Sequence, residues 1–286
     1  MYTTSVITDE ISQDLKVAAQ MAREYGLQGL EIRSVNEKNP FQMEKADVKF
    51  VKSVAEDFGL RICAVSSPMY KCDFGDLAVR RQHEEAFRRF METMHEWNVS
   101  LIRTFNFFNL HDGGAKLPEI AEMYQKLADV AEDAGVTMVL ESEPSVNAVN
   151  IAELVKFLKM VDRASVQAVY DPGNELADVT APPPYPDGYR ILRPWIRHVH
   201  VKDIKRGSEM TPAPLGEGDV DFHGIFDALR RDEYNGWVSL ETHYRVIRMS
   251  DEDLVRPQGS SFSKGGYEAS RLYLDRLRDV YRWMEA

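Results

Sequence analysis

Four residues in the second half of the chain have the chemistry to meet around one cation: Glu141, Asp171, His200 and Glu241. Each closes, or lies near the end of, a short apolar run: VTMVLE (136–141), VQAVYD (166–171), IRHVHV (196–201) and GWVSLE (236–241). Side chains alternate along a strand, so one inward ligand at the end of each of four successive barrel strands is aimed at a common point. Three carboxylates and an imidazole gathered there repel one another unless a cation neutralises them. A set of oxygens with one nitrogen suits Mn²⁺, Mg²⁺, Co²⁺ or Zn²⁺ better than a soft thiolate metal, and one divalent ion is the expected cofactor. Taken singly, each residue reads equally well as an isolated charge at a strand end. Four on consecutive strands do not.

Such an ion, chelated by a carbonyl oxygen and an adjacent hydroxyl, would polarise the carbonyl and acidify the neighbouring C–H. A carboxylate can then remove that proton to give an enediolate. Return of the proton to the other face of the same carbon is epimerisation, and return to the adjoining carbon is aldose–ketose isomerisation. Loss of a β-hydroxyl from the same intermediate is dehydration.

The elements that must position these residues alternate along the whole chain. Four further strand candidates precede them, SVIT (5–8), LQGLEI (27–32), LRICAV (60–65) and SLIRTF (100–105). Amphipathic stretches separate the eight, among them Leu15–Tyr25, Lys45–Phe58, Arg80–Trp97, Pro118–Ala134 and Ile151–Val161, and a last helix is expected over Gly266–Met284. Repeated βα units over residues 1–286 predict an α/β fold, a single-domain (β/α)₈ TIM barrel, for which roughly 250 residues suffice. The segments EYGLQ, DFGLR and EDAGVT each put a glycine between helix and strand, where a left-handed residue ends a helix at little cost. The Pro-rich segment 179–188 and the loop 207–219 follow strands six and seven, on the side where barrel enzymes build their sites, and are expected to shape a pocket entrance.

Composition narrows the function classes. The net charge is −11 with no basic block, so neither nucleic acid nor an anionic membrane is an expected partner. Cys63 and Cys72 form no metal or redox motif, which suits a reduced, cytoplasmic protein. The first residues lack a basic segment followed by an apolar one, and no apolar run is long enough to span a bilayer. The chain is compatible with a homo-oligomer.

The motifs ESEP (141–144), YDPGN (170–174), HVHVKD (198–203), LGEGDVDF (215–222) and NGWVSLE (235–241) resemble, in order, those of the xylose isomerase-like sugar isomerase/epimerase superfamily, which also holds the apurinic endonuclease branch. The resemblance implies metal binding by Glu141, Asp171, His200 and Glu241, with Glu141 and Glu241 acting as acid and base as in the epimerases. Many members carry a histidine three residues after the sixth-strand aspartate. Asn174 stands there in this chain, a substrate-binding position whose contacts must differ. The endonucleases need further histidines, and Ser66 or Ser67, Asn106 and Asn174 occupy the corresponding strand ends. The leading expectation is a metal-dependent isomerase or epimerase of a small sugar, keto-sugar or polyol. A related dehydratase or lyase is the nearest alternative.

Neighbouring residues carry lesser expectations. Lys202 can bind a substrate oxygen or pair with Asp203 or Glu143 at the rim. Arg206 lies six residues after His200, where some sugar epimerases contact substrate, with Lys205 as its solvated counterpart. His198 reads as a core residue or one that orients a ligand. Glu143 and His243 read as solvated loop positions, and Glu31 as a structural residue paired with a basic neighbour inside the barrel. The run TFNFFNLHDGG (104–114) suggests an apolar wall against which sugar C–H faces could pack.

Overall fold

Met138 and Leu140, Ala168 and Tyr170, Val199 and Val201, and Val238 and Leu240 all belong to one apolar core. Strand alternation therefore turns the residues between them the other way, into the barrel. In the computed structural model this pattern closes eight parallel strands into a ring: Thr3–Ile7, Gly29–Ile32, Arg61–Met69, Leu101–Thr104, Thr137–Leu140, Val166–Tyr170, Ile196–Val201 and Trp237–Leu240. The first pairs with both the second and the eighth, with Ser5 in register with Ser239 and Ser239 with His200. The structure describes residues 1–176, 178, 181–207, 211–245, 250, 255, 257, 259–281 and 283. The barrel interior is polar at many positions, with Ser5, Glu31, Arg103, His198, His200 and Ser239 all buried.

Helices Leu15–Glu24, Lys45–Asp57, Leu77–Glu96, Leu117–Asp133, Ile151–Val161, Phe222–Arg231 and Gly266–Asp279 surround the strands. The third of these starts three residues earlier than its apolar period suggests, because the Asp76 carboxylate accepts the backbone N–H groups of Ala78 and Val79. Gly26, Gly59 and Gly135 have φ of 71°, 62° and 67°, the left-handed helix ends expected of them. Residue 284, the expected end of the last helix, lies outside the described residues. Among the described residues, no helix is long and apolar enough to cross a membrane.

The third strand runs past residue 65 to Met69, and its register against the fourth shifts beyond Val65. Extension through Ser66 and Ser67 delivers both to the barrel mouth, where the Ser67 hydroxyl donates to the Arg103 carbonyl at 2.6 Å. After the seventh strand, Ile204–Lys205 pairs antiparallel with Thr211–Pro212. Buried Asp203 organises this excursion by accepting the N–H of Gly216 at 2.7 Å and of Gly218 at 3.1 Å. A Cβ at position 218 would lie 2.1 Å from the Asp203 carboxylate, so only glycine can close on it. The rest of the loop, residues 208–210, lies outside the described residues, as do residues 179 and 180.

Candidate metal centre

Strands five, six and eight end at Leu140, Tyr170 and Leu240, and the next residue of each is Glu141, Asp171 or Glu241. His200 is the penultimate residue of strand seven. All four are buried, and each offers a ligand atom such that these atoms lie within 4.8 Å of one another. The local chain secures Asp171 further: it caps the short helix Pro172–Glu175, its Oδ1 accepting the N–H of Gly173 at 2.9 Å and of Asn174 at 3.1 Å. That leaves Oδ2, which is buried and turned towards the other acids of the site.

Cations hold the carboxylates apart. Arg103 Nη1 lies 3.1 Å from Glu141 Oε2, and Arg33 Nη1 lies 2.9 Å from Glu241 Oε1. Lys202 Nζ stands between two acids, 2.7 Å from Asp171 Oδ2 and 2.9 Å from Glu241 Oε2. Arg33 also binds Asp9 and Glu10, and Arg245 binds Glu10. Around the mouth, then, six buried carboxylates (Asp9, Glu10, Glu31, Glu141, Asp171, Glu241) face four buried permanent cations (Arg33, Arg103, Lys202, Arg245) among the described residues. Two negative charges remain to be neutralised, by protons or by one divalent ion.

The protonation equilibria reflect this excess. Burial alone would depress the His200 imidazole, but Glu31 and Glu241 outweigh it and hold the ring charged well above the usual histidine range. Burial raises Asp171 to about 7, with Lys202 opposing and Glu241 and Glu141 reinforcing the rise. For Glu141, burial is overcome by Arg103 and the carboxyl falls to about 2. Glu241 likewise resists burial through Lys202, His243 and His200 and stays well below the carboxylate norm. A proton on His200 thus stands where a cation would, between Nδ1 and the oxygens of Glu141 at 3.1 Å and Glu241 at 3.4 Å.

Two other groups have metal-like composition, Glu31 with His198 and His200, and Glu10 with Glu241 and His243. The first is already joined by hydrogen bonds between the histidines and Glu31. The second receives both Arg33 and Arg245. The donor set of Glu141, Asp171, His200 and Glu241, three carboxylates and one imidazole buried with their ligand atoms within 4.8 Å of one another, fits a hard divalent ion best.

The surrounding residues revise several expectations. Lys202 pairs with neither Asp203 nor Glu143, because its inward phase turns the amine to Asp171 and Glu241. Glu143 is not a solvated loop acid: it is half-buried and takes Lys71 Nζ at 2.7 Å. His243 is buried rather than solvated, with a left-handed φ of 47° and its backbone N–H donated to Glu10. Glu31 does pair inside the barrel, with the two histidines of strand seven. Asn174 is brought to the site, donating 3.0 Å to the Ser142 carbonyl and 3.4 Å to Glu141 Oε1. Arg206 is exposed, its Nε on the Leu176 carbonyl at 3.1 Å. Asn106 is buried and accepts the Ala148 N–H, and His111 is exposed.

A cavity of about 200 Å³ opens directly over the carboxylates, bounded by Glu141, Glu241, Asn174, Lys202, Lys71 and Arg103 together with Ile204 and Pro212 of the hairpin. It adjoins a second, of about 370 Å³, along Lys71 and Arg103, where Phe105 and Phe108 form the apolar wall. Phe107, between them, instead stacks on Tyr70 in the core, 4.2 Å between centroids. The hairpin therefore does bound the pocket. The described part of the Pro-rich segment packs elsewhere, Tyr170 donating to the Pro184 carbonyl and Gly188 lying against Ile151. Sequence reasoning missed Arg33, Arg103 and Lys71 as site residues. The first two carried a readable signal, a permanent charge at an inward position of a barrel strand or just past its end, which burial forces into an ion pair.

Residues 19–264 match the family described as xylose isomerase-like TIM barrel. In sequence, the chain is 26% identical over 149 residues to the inosose dehydratase of Clostridium tetani (strain Massachusetts / E88), covering 46% of this chain and 48% of that protein. The chain thus spans about half the length of the curated relatives it matches. In structure it resembles the zinc-bound IOLI protein, with TM-score 0.75, 16% identity and coverage of 98% and 99% of the two chains. It also resembles D-psicose 3-epimerase of Clostridium cellulolyticum H10 in complex with D-tagatose, with TM-score 0.74, 18% identity and coverage of 99% and 100%.

Proposed function

The chain belongs to the xylose isomerase-like TIM barrel family, and on that premise we propose that it is a divalent-metal-dependent isomerase or epimerase of a small sugar, keto-sugar or polyol. The observation that carries this reading is the convergence of Glu141 and Glu241 on one point from strands five and eight, with Asp171 and His200 between them. The four would hold one divalent ion, which supplies Lewis acidity to a carbonyl and its neighbouring hydroxyl.

The chain's own residues then handle the proton. Glu141 and Glu241 arrive from the two ends of a four-strand arc, so one can take a proton from a bound carbon while the other returns one. Both are held ionised by their cationic neighbours, which makes them weak bases suited to a C–H already acidified by a polarised carbonyl. Lys202 has three N–H donors and two carboxylate partners, leaving one donor for a substrate oxygen. Asn174 offers an amide beside Glu141, and Phe105 with Phe108 gives C–H faces an apolar surface. Ile204 and Pro212 limit water at the rim.

A second reading is a dehydratase, favoured by the inosose dehydratases among the relatives of the chain. The two share the first proton transfer and part at the second step. Incubation of Mn²⁺-loaded protein with ketohexoses and an inosose in deuterated water separates them by mass and NMR. The isomerase reading expects deuterium on the carbon beside the carbonyl in a product that keeps all its oxygens. The dehydratase reading expects loss of one water and a conjugated enone absorbance. Neither deuterium incorporation nor water loss across the panel contradicts both.

A further inference from the structure

Glu31 lies on strand two, and strands two and seven are not neighbours in the ring, so its contacts with strand seven are made through the barrel interior. It is fully buried, and three donors converge on its carboxylate. His198 Nε2 lies 2.7 Å from Oε2, His200 Nε2 lies 3.2 Å from Oε1, and the Ser66 hydroxyl donates to Oε1. The other nitrogen of His200, Nδ1, faces Glu141 and Glu241. The His198 ring meets the His200 ring edge-on, centroids 5.0 Å apart at 85°, and restricts its rotation.

We infer that Glu31 is a positioning residue for the metal centre: by accepting the Nε2–H of His200 it fixes the tautomer and the ring angle that present Nδ1 to the cation. This rests on the reading of Glu141, Asp171, His200 and Glu241 as a metal set. A neutral imidazole has one N–H, and an anionic acceptor at Nε2 keeps that hydrogen there, leaving the Nδ1 lone pair for a ligand bond. Without it, the hydrogen can sit on either nitrogen, and only one arrangement binds metal. Ser66 and His198 hold the carboxylate of Glu31 in turn, so the device spans strands two, three and seven. Glutamine cannot replace it, since one amide oxygen cannot accept from three donors.

Calorimetric titration of chelator-stripped protein with Mn²⁺, alongside thermal melting, tests this in the wild type, Glu31→Gln and Glu31→Asp. The inference expects both variants to lose roughly 10- to 100-fold in Mn²⁺ affinity, the range for partners that orient metal-bound histidines. Asp is included because it keeps the charge but withdraws the oxygens, so a loss there rules out simple long-range attraction. Wild-type affinity in both folded variants overturns the role of Glu31 and leaves the metal set standing. No stoichiometric Mn²⁺ binding by the wild type overturns both. Long-range ¹⁵N–¹H spectra of the Zn²⁺-loaded wild type add a readout that does not need the variants to fold. A His200 ring, assigned by its absence in His200→Asn, that carries its hydrogen on Nε2 supports the inference, and one that carries it on Nδ1 refutes it.

Discussion

Loading the metal-free protein with one divalent ion at pH 7 should expel protons, and their number follows from the charges at the barrel mouth. Six buried carboxylates against four buried permanent cations leave two negative charges for protons to neutralise. His200, held charged by Glu31 and Glu241 against the effect of burial, carries one of those protons. Asp171, raised by burial to about 7, carries part of another at that pH. An ion bound by Nδ1 of His200 and the carboxylates displaces both, so between one and two protons should leave per ion at pH 7, the number rising towards two near pH 6 as Asp171 fills. Titration calorimetry with Mn²⁺ in phosphate, Hepes and Tris measures this, because the observed heat varies with buffer ionisation enthalpy and the slope is the proton count. Tight binding with no buffer dependence at pH 7 would refute the charge count and the placement of the ion at His200 Nδ1.

Three further outcomes follow from the same geometry. Glu141→Gln and Glu241→Gln keep the shape of the site but lose the basic oxygen, so turnover of a confirmed substrate should fall at least about a hundredfold in each, measured by steady-state kinetics. Near-normal activity in both removes the two-glutamate mechanism. Lys202→Met leaves Asp171 and Glu241 facing each other, and urea unfolding of the metal-free variant at pH 8 should show a loss of about 3–5 kcal/mol, shrinking towards pH 5 as Asp171 takes up its proton; a constant loss would place the effect in packing instead. Glu175 is raised by burial from 4.5 to about 7. Its unfolded form therefore releases a proton first, and stability should fall as pH rises from about 4.5 to 7, by at most about 3 kcal/mol. Glu175→Gln, which can still accept the Ile151 N–H, should flatten that slope in urea denaturation at pH 4.5 to 8.

The ring of strands and the convergence of Glu141, Asp171, His200 and Glu241 were legible because both follow from local rules. Apolar alternation sets which face of a strand is buried, and a polar residue at the phase opposite Leu140, Tyr170 or Leu240 must turn into the barrel. Helix ends were legible for the same reason, through Gly26, Gly59 and Gly135. What eluded the sequence was pairing across distance. Arg33 meets Glu241 over 208 positions and Glu31 meets His198 over 167. No periodicity encodes such partners, and inward phase alone could not tell Lys202 that its acids were Asp171 and Glu241. Burial of His243 was likewise invisible, since it depends on Glu10 from the far end of the chain.

Anomalous diffraction from crystals grown with Mn²⁺ tests most directly whether one ion binds at one place. The prediction is a single strong peak per chain bonded to Glu141, Asp171, His200 Nδ1 and Glu241, with His200 Nε2 still on Glu31. A peak between Glu31, His198 and His200, or between Glu10 and His243, or no ordered peak at saturating Mn²⁺, would contradict it.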